Sequence, residues 1–396
     1  MFRRIAGLIG VLCWAAAFAA APVVAPKTWV QFTPNISDVY ENPSPGGSGR
    51  QNVINAWSGG AYNDSSEQLI VWGGGHGDYY GNEIYVFDLD SSTQAWRKER
   101  AFSGTIDVGE AAETTCRYTA DEQSPRSRHT YNYLQWMGNV NRFISAGCKD
   151  PATGALASPA VVQAYDFVAR TWDERAANPH TTTLSGQSVS AYDRQTGFLW
   201  FYGVAAGGRL VRYNYNTDAW TEQGDPDNNS GQLQNGTSCD IDTSFTPNRM
   251  YCTGAIGTPG TGLVRYFVLD TTDSDIDSVR VTVTGETSCS DQLRPGFVWS
   301  PRDSLFFCWS GGANVFTFNP RTAVWDSIPP DAGNTVTPSA AASNGTFGRF
   351  RYSPRYGLFV AVNSTTGNTF VYRYADTTAA VSGPPIGSRM LMGAGK

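Results

Sequence analysis

The sequence predicts an all-β fold: a β-propeller of six blades, or seven if one repeat is degenerate, closed by a strand from its own N-terminus. Three observations carry this expectation. Short apolar strands and glycine-rich turns recur with a spacing of roughly 50 residues, a period that marks propellers. Of 396 residues, 42 are glycine and 13% are aromatic, while only 16% are charged, a balance of turn-rich β structure rather than of helical bundles or disorder. The last repeat also lacks an outer strand, and the N-terminal region carries a spare one.

Arg3 and Arg4 precede an apolar run from Ile5 to Phe18, and Ala17-Phe18-Ala19 offers a small-residue cleavage site. Residues 1–21 are therefore expected to be a secretory signal peptide, too short in its apolar run to span a membrane. The mature chain is then secreted or periplasmic. A single propeller domain is expected over 27–382, with an irregular tail over 383–396. Within 27–32, Thr28-Trp29-Val30 is similar to Ala219-Trp220-Thr221, the outer strand of a central repeat. It is expected to complete the last blade, removing the exposed sheet edges.

Blade one is expected over 50–100, with strands at 52–56, 68–73, 83–89 and 95–99. Blades two to six follow over about 126–176, 186–224, 235–285, 289–329 and from 347 onward. Paired glycines such as Gly73-Gly74 and Gly311-Gly312 permit positive φ and close backbone approach. The outer-strand Trp residues (Trp96, Trp172, Trp220, Trp325) are expected to pack between blades; the fourth strand of blade four has Val281 and Val283 instead. Asp88 and Asp193 end or follow strands and are read as turn formers.

The order strand, double glycine, polar loop, strand ending in Asp88, short turn and Trp96 recurs along the chain. It resembles the blade of Kelch-type β-propellers, including the propeller domain of galactose oxidase, over nearly the whole mature chain. The resemblance implies an architecture and no reaction, because such propellers serve as enzymes, lectins and scaffolds. The copper-radical chemistry of galactose oxidase is not implied. That site needs two Tyr and two His, one His directly after a Tyr, and the chain has no Tyr-His dipeptide. No cofactor and no metal are expected.

Without Cys13 in the signal segment, six of the seven cysteines remain, an even number suited to an oxidising compartment. Cys116, Cys148, Cys239, Cys252, Cys289 and Cys308 are read as disulfide-bonded, with the pairing left open. Cys239 and Cys252 flank a Thr246-Pro247-Asn248 turn, as cross-strand partners in a hairpin would.

In a four-stranded blade, the loop entering the first strand and the loop between strands two and three open on one face. All three histidines map there: His76 in the strand two–three loop of blade one, His129 immediately before the first strand of blade two, and His180 in the loop entering blade three. Arg50, Arg126, Arg128, Arg294 and Arg349 are expected at the same mouth, with Tyr79, Tyr80 and Tyr131. The net charge of −6 offers no global attraction to nucleic acid or membrane, so basic residues gathered at one mouth suggest a local anion. A polar, aromatic mouth in a secreted protein suits an anionic polysaccharide.

β-Elimination of a uronate needs a neutraliser for the carboxylate, a base for the C5 proton and an acid for the leaving oxygen. His76, His129 and Tyr80 are the expected catalytic residues, and Arg128, Arg294, Arg349, Tyr79 and Arg50 the expected substrate contacts. In these residue types the chain is similar to propeller polysaccharide lyases such as those acting on ulvan. Two other readings stand beside it. Glycoside hydrolysis would use paired carboxylates, for which Asp78 and Glu83 flank one loop. A non-catalytic propeller would bind a glycan or a protein at the same mouth. A monomer is expected in each case.

Overall fold

The computed structural model describes residues 21–42, 44–75, 78–103, 124–146, 161–177, 189–203, 210–223, 233, 236–254 and 263–375. Strand β1 (Thr28–Phe32) precedes the first blade. Blade one is β2 (Ala61–Asn63), β3 (Gln68–Val71), β4 (Ile84–Asp88) and β5 (Trp96–Arg100). Blade two is β6 (Gln135–Met137), β7 (Arg142–Ala146), β8 (Val161–Asp166) and β9 (Thr171–Ala177). Blade three is β10 (Val189–Tyr192), β11 (Phe198–Tyr202), β12 (Leu210–Asn214) and β13 (Ala219–Glu222). Blade four is β14 (Ser238–Asp242), β15 (Arg249–Thr253), β16 (Val264–Val268) and β17 (Ser278–Val281).

Blade five adds a two-residue edge, β18 (Thr284–Gly285), to β19 (Gly296–Ser300), β20 (Leu305–Trp309), β21 (Val315–Asn319) and β22 (Val324–Ile328). Blade six is β23 (Phe350–Ser353), β24 (Leu358–Val362) and β25 (Thr369–Arg373). Its fourth strand is β1, which pairs antiparallel with β25 from Thr28↔Arg373 to Phe32↔Thr369. Six sheets thus form a ring, and chain segments from both ends share the last blade.

The strands read as nearly continuous apolar runs because both faces of each sheet are covered. In β20, Phe306 and Cys308 pack toward blade four, while Phe307 and Trp309 pack toward blade six. The period of two sends alternate residues to opposite faces, and the ring buries both.

Several outer-strand Trp residues reach back to the preceding blade. The Trp96 indole donates to Thr369 Oγ1 at 2.7 Å, Trp172 lies 5.4 Å from Trp72, and the Trp220 indole donates to the Ala176 carbonyl at 2.9 Å. Trp29 does the same at the closure, 5.5 Å from Trp309 with its indole donating to the Ala313 carbonyl at 2.9 Å.

Two expectations need correction. Residues 52–56 are not the first strand of blade one; Asn52–Asn55 is a single α-helical turn and the strand begins at Ala61. Val53 and Ile54 are adjacent, and both are buried in one core cluster, which a strand cannot do with consecutive side chains. His129 does not directly precede a strand either, since β6 begins only at Gln135.

Cys239–Cys252 and Cys289–Cys308 are disulfides; the first joins directly opposed residues of β14 and β15. Such bonds persist in oxidising compartments. Cys116 and Cys148 lie outside the described residues, as do residues 1–20 of the expected signal segment (1–21) and the tail over 383–396. No helix among the described residues is long and apolar enough to cross a membrane.

Candidate functional site

The site is built where the entry loops of blades one, two, five and six meet around the ring axis. Four non-glycine residues there adopt left-handed backbone: Trp57 (φ 49°), Tyr131 (φ 40°), Arg294 (φ 59°) and Phe347 (φ 49°). Bulky residues in that region are uncommon, and each costs on the order of 1 kcal/mol or more.

Hydrogen bonds between loops hold them. The Trp57 carbonyl accepts from Tyr131 N at 2.7 Å, the Gly236 carbonyl from Arg294 N at 2.8 Å, and the Arg294 carbonyl from Thr346 N at 2.8 Å. Tyr131, Tyr133 and Phe347 form one small buried cluster with Trp57 against it.

His129 lies on this cluster and is 9% exposed. Its Nε2 is 2.9 Å from Asp78 Oδ2, and its Nδ1 is 3.4 Å from the Tyr131 hydroxyl. The Trp57 ring lies 4.7 Å from the imidazole at a tilt of 52°. With the Nε2 proton directed at Asp78, Nδ1 is left to accept from Tyr131. Gly75 (φ +91°) makes room for this pair: a Cβ there would stand 2.3 Å from Asp78 Oδ2 and 2.9 Å from His129 Nε2.

Arg294 completes the group from blade five. Gly345 must be glycine for it, since a Cβ there would stand 2.1 Å from Arg294 Cβ. Its Nε is buried without a hydrogen-bond partner among the described residues. Burial lowers its pKa, and the Tyr131 phenol works against that. Reciprocally, burial pushes the Tyr131 phenol up to about 12; Arg294 pulls it down and the Asp78 carboxylate adds to the rise. A histidine, a tyrosine, a carboxylate and a guanidinium therefore act on one another in one place.

Of the other expected residues, Tyr80 shares the Asp78 loop and the rest fall elsewhere. Arg128 is buried, with its guanidinium 5.1 Å over the Trp72 ring and a hydrogen bond to Gln163 Oε1. Arg50 stands 5.4 Å over Tyr40. Tyr79 is fully buried and donates to Glu83 Oε1 at 2.7 Å, so its hydroxyl faces inward. Tyr80 is half-buried on the Asp78 loop.

Arg349 needs correction as a substrate contact. It is 0% exposed and donates to the carbonyls of Ser58 at 2.8 Å, Val362 at 2.6 Å and Gly345, and to Asn363 Oδ1 at 3.3 Å. Burial holds its pKa down to about 9. It ties blade six to blade one and has no surface left for a ligand. His76 and His180 lie outside the described residues.

Sequence reasoning gave Asp78 no role beside His129, and it left out Trp57. The only signal for Asp78 was its place on the loop between the second and third strands of blade one. The partnership depends on two loops separated by 51 positions. Comparison of the chain with family models and with curated proteins yields no match.

Proposed function

We propose that this secreted, Kelch-like propeller is a polysaccharide lyase that cleaves a uronate-containing glycan by β-elimination. The observation that carries the reading is the Asp78–His129–Tyr131 chain beside Arg294. The Arg294 guanidinium pairs with the uronate carboxylate and withdraws charge from it, which acidifies the C5 proton. His129 takes the Tyr131 proton through Nδ1, and Asp78 stabilises the resulting imidazolium. The Tyr131 oxygen then removes the C5 proton. The C5–H electrons form the C4–C5 double bond, the C4–O bond breaks, and the departing O4 is protonated by Tyr80, which follows Asp78 on the same loop. Trp57 supplies an apolar face for a sugar ring.

Hydrolysis by the Asp78 and Glu83 carboxylates has less support. Glu83 is 1% exposed and bonded to Tyr79, so it cannot reach a sugar, and a glycosidase needs both groups at the substrate. The non-catalytic reading keeps one favouring observation: His129 and Tyr131 are themselves nearly buried, as a binding platform with a rigid floor would be.

The test is ultraviolet absorbance of the unsaturated uronate product while the purified protein is offered a panel of uronate polysaccharides. A rise with one glycan is expected, and His129→Ala should lower its rate by about a thousandfold while leaving the thermal transition in place. No rise across the panel, with retention on an immobilised glycan, establishes the binding reading instead. Turnover that survives His129→Ala removes His129 from the mechanism.

A further inference from the structure

The buried Tyr79–Glu83 pair is used by none of the chemistry above, yet it adjoins the residue that fixes His129. Tyr79 directly follows Asp78 in the chain. Its ring is fully buried, and its hydroxyl donates to Glu83 Oε1 at 2.7 Å. Glycine at positions 74 and 81 lets that ring in, since a Cβ at Gly81 would stand 2.4 Å from it. The Asp78 carbonyl accepts from Ser48 N at 2.7 Å and Asn52 Nδ2 at 2.9 Å.

The backbone at Asp78 is thus pinned on one side by main-chain and Asn52 contacts, and on the other by a buried side-chain bond. The Asp78 side chain itself remains 36% exposed. An aspartate that is open to solvent stays on its histidine only if its backbone cannot drift.

We propose that Tyr79 and Glu83 form a buried positioning pair that holds the Asp78 carboxylate on His129 Nε2. Neither residue touches substrate. The pair sets the direction of the His129 ring and leaves Nδ1 turned to Tyr131. The inference rests on the Asp78–His129 contact of the proposed site but not on elimination chemistry, and its readout needs no turnover.

The experiment is proton NMR of the exchangeable His129 Nε2–H in the whole mature chain, assigned by its disappearance in His129→Gln. With three histidines in the sequence the region is sparse. The unsubstituted protein is expected to show a protected resonance that Asp78→Asn weakens. Tyr79→Phe and Glu83→Leu should each speed its exchange with water about fivefold, the factor that accompanies local opening by one hydrogen bond. Glu83→Gln should restore protection, because an amide oxygen accepts the same bond.

Unchanged exchange in Tyr79→Phe, with only a lower melting temperature, overturns the proposal and leaves the pair as packing. Loss in Glu83→Gln equal to that in Glu83→Leu overturns its hydrogen-bond basis. No protected resonance in the unsubstituted protein overturns the Asp78–His129 contact itself, and the proposed site with it. If Glu83→Leu does not fold, Tyr79→Phe carries the test.

Discussion

Glu83 makes a pH-dependent stability prediction whose size follows from its surroundings. Burial raises its carboxyl from 4.5 to about 7, with the Tyr79 hydroxyl opposing the rise; the Glu41 carboxylate adds to it and the Lys98 ammonium opposes it. In the folded chain the proton is therefore held more tightly than in the unfolded chain. Below the unfolded value both states are protonated and the site costs nothing. Between the two values the folded state binds more protons, so stability falls as pH rises, and above the folded value the whole cost is present.

At about 1.4 kcal/mol per pH unit over roughly 2.5 units, the cost is about 3.5 kcal/mol. With an unfolding entropy of about 2 cal/mol/K per residue over the roughly 280 described residues, that corresponds to about 6 °C in Tm. Glu83→Gln removes the titration while keeping an acceptor for Tyr79. The difference in Tm between variant and parent, measured by calorimetry at each pH, should grow in the variant's favour by about 6 °C from about pH 4.5 to about pH 8. Comparing the two proteins at the same pH cancels the other titrating groups. A Tm difference that stays constant across that range, or one that shrinks, refutes the argument that a buried, proton-holding carboxyl sits at this position.

Two further outcomes test the frame and the corrected arginine. Trp29→Ala removes a side chain that is 2% exposed and an indole bond across the closure, so it should cost about 3–5 kcal/mol. Differential scanning calorimetry should show the ring melting earlier, and the same truncation at the half-buried Trp220 should cost less. Arg349→Leu strands buried carbonyl acceptors of Ser58, Val362 and Gly345 and should destabilise by about 3 kcal/mol or more. A ligand-gripping arginine would instead leave the Tm alone and weaken retention on an immobilised uronate glycan, so the two assays together decide its role.

The architecture was legible because its signals are local and repeated. Most blades announce themselves through apolar strands, glycine turns and an outer Trp, with blade four lacking the Trp, and the orphan strand around Trp29 could be matched to a blade lacking an outer strand. The paired cysteines of the β14–β15 hairpin were legible for the same reason, being neighbours in sequence as well as in space. The first strand of blade one was misplaced because Val53 and Ile54 are as apolar as a strand, and nothing local shows that both must face one cluster. Among the site residues, His129 and Arg294 were singled out by chemical type and by their place in the repeat. Arg349 had the same type and the same kind of place, yet a carbonyl-lined slot between blades takes it inward.

The sequence by itself determined the ring and its closure by the N-terminal strand, left the count at six or seven blades, and singled out candidate side chains for one mouth. Strand periodicity and turn chemistry act over a few residues and can be read in one dimension. Only the tertiary structure decided which of those side chains act together. It put Asp78 on His129, turned Tyr131 toward Nδ1, brought Arg294 across from another blade, and withdrew Tyr79 and Arg349 into the interior. Those choices depend on loops from different blades meeting at an axis, and on whether a buried polar atom finds its partner in the main chain or in another reactive group.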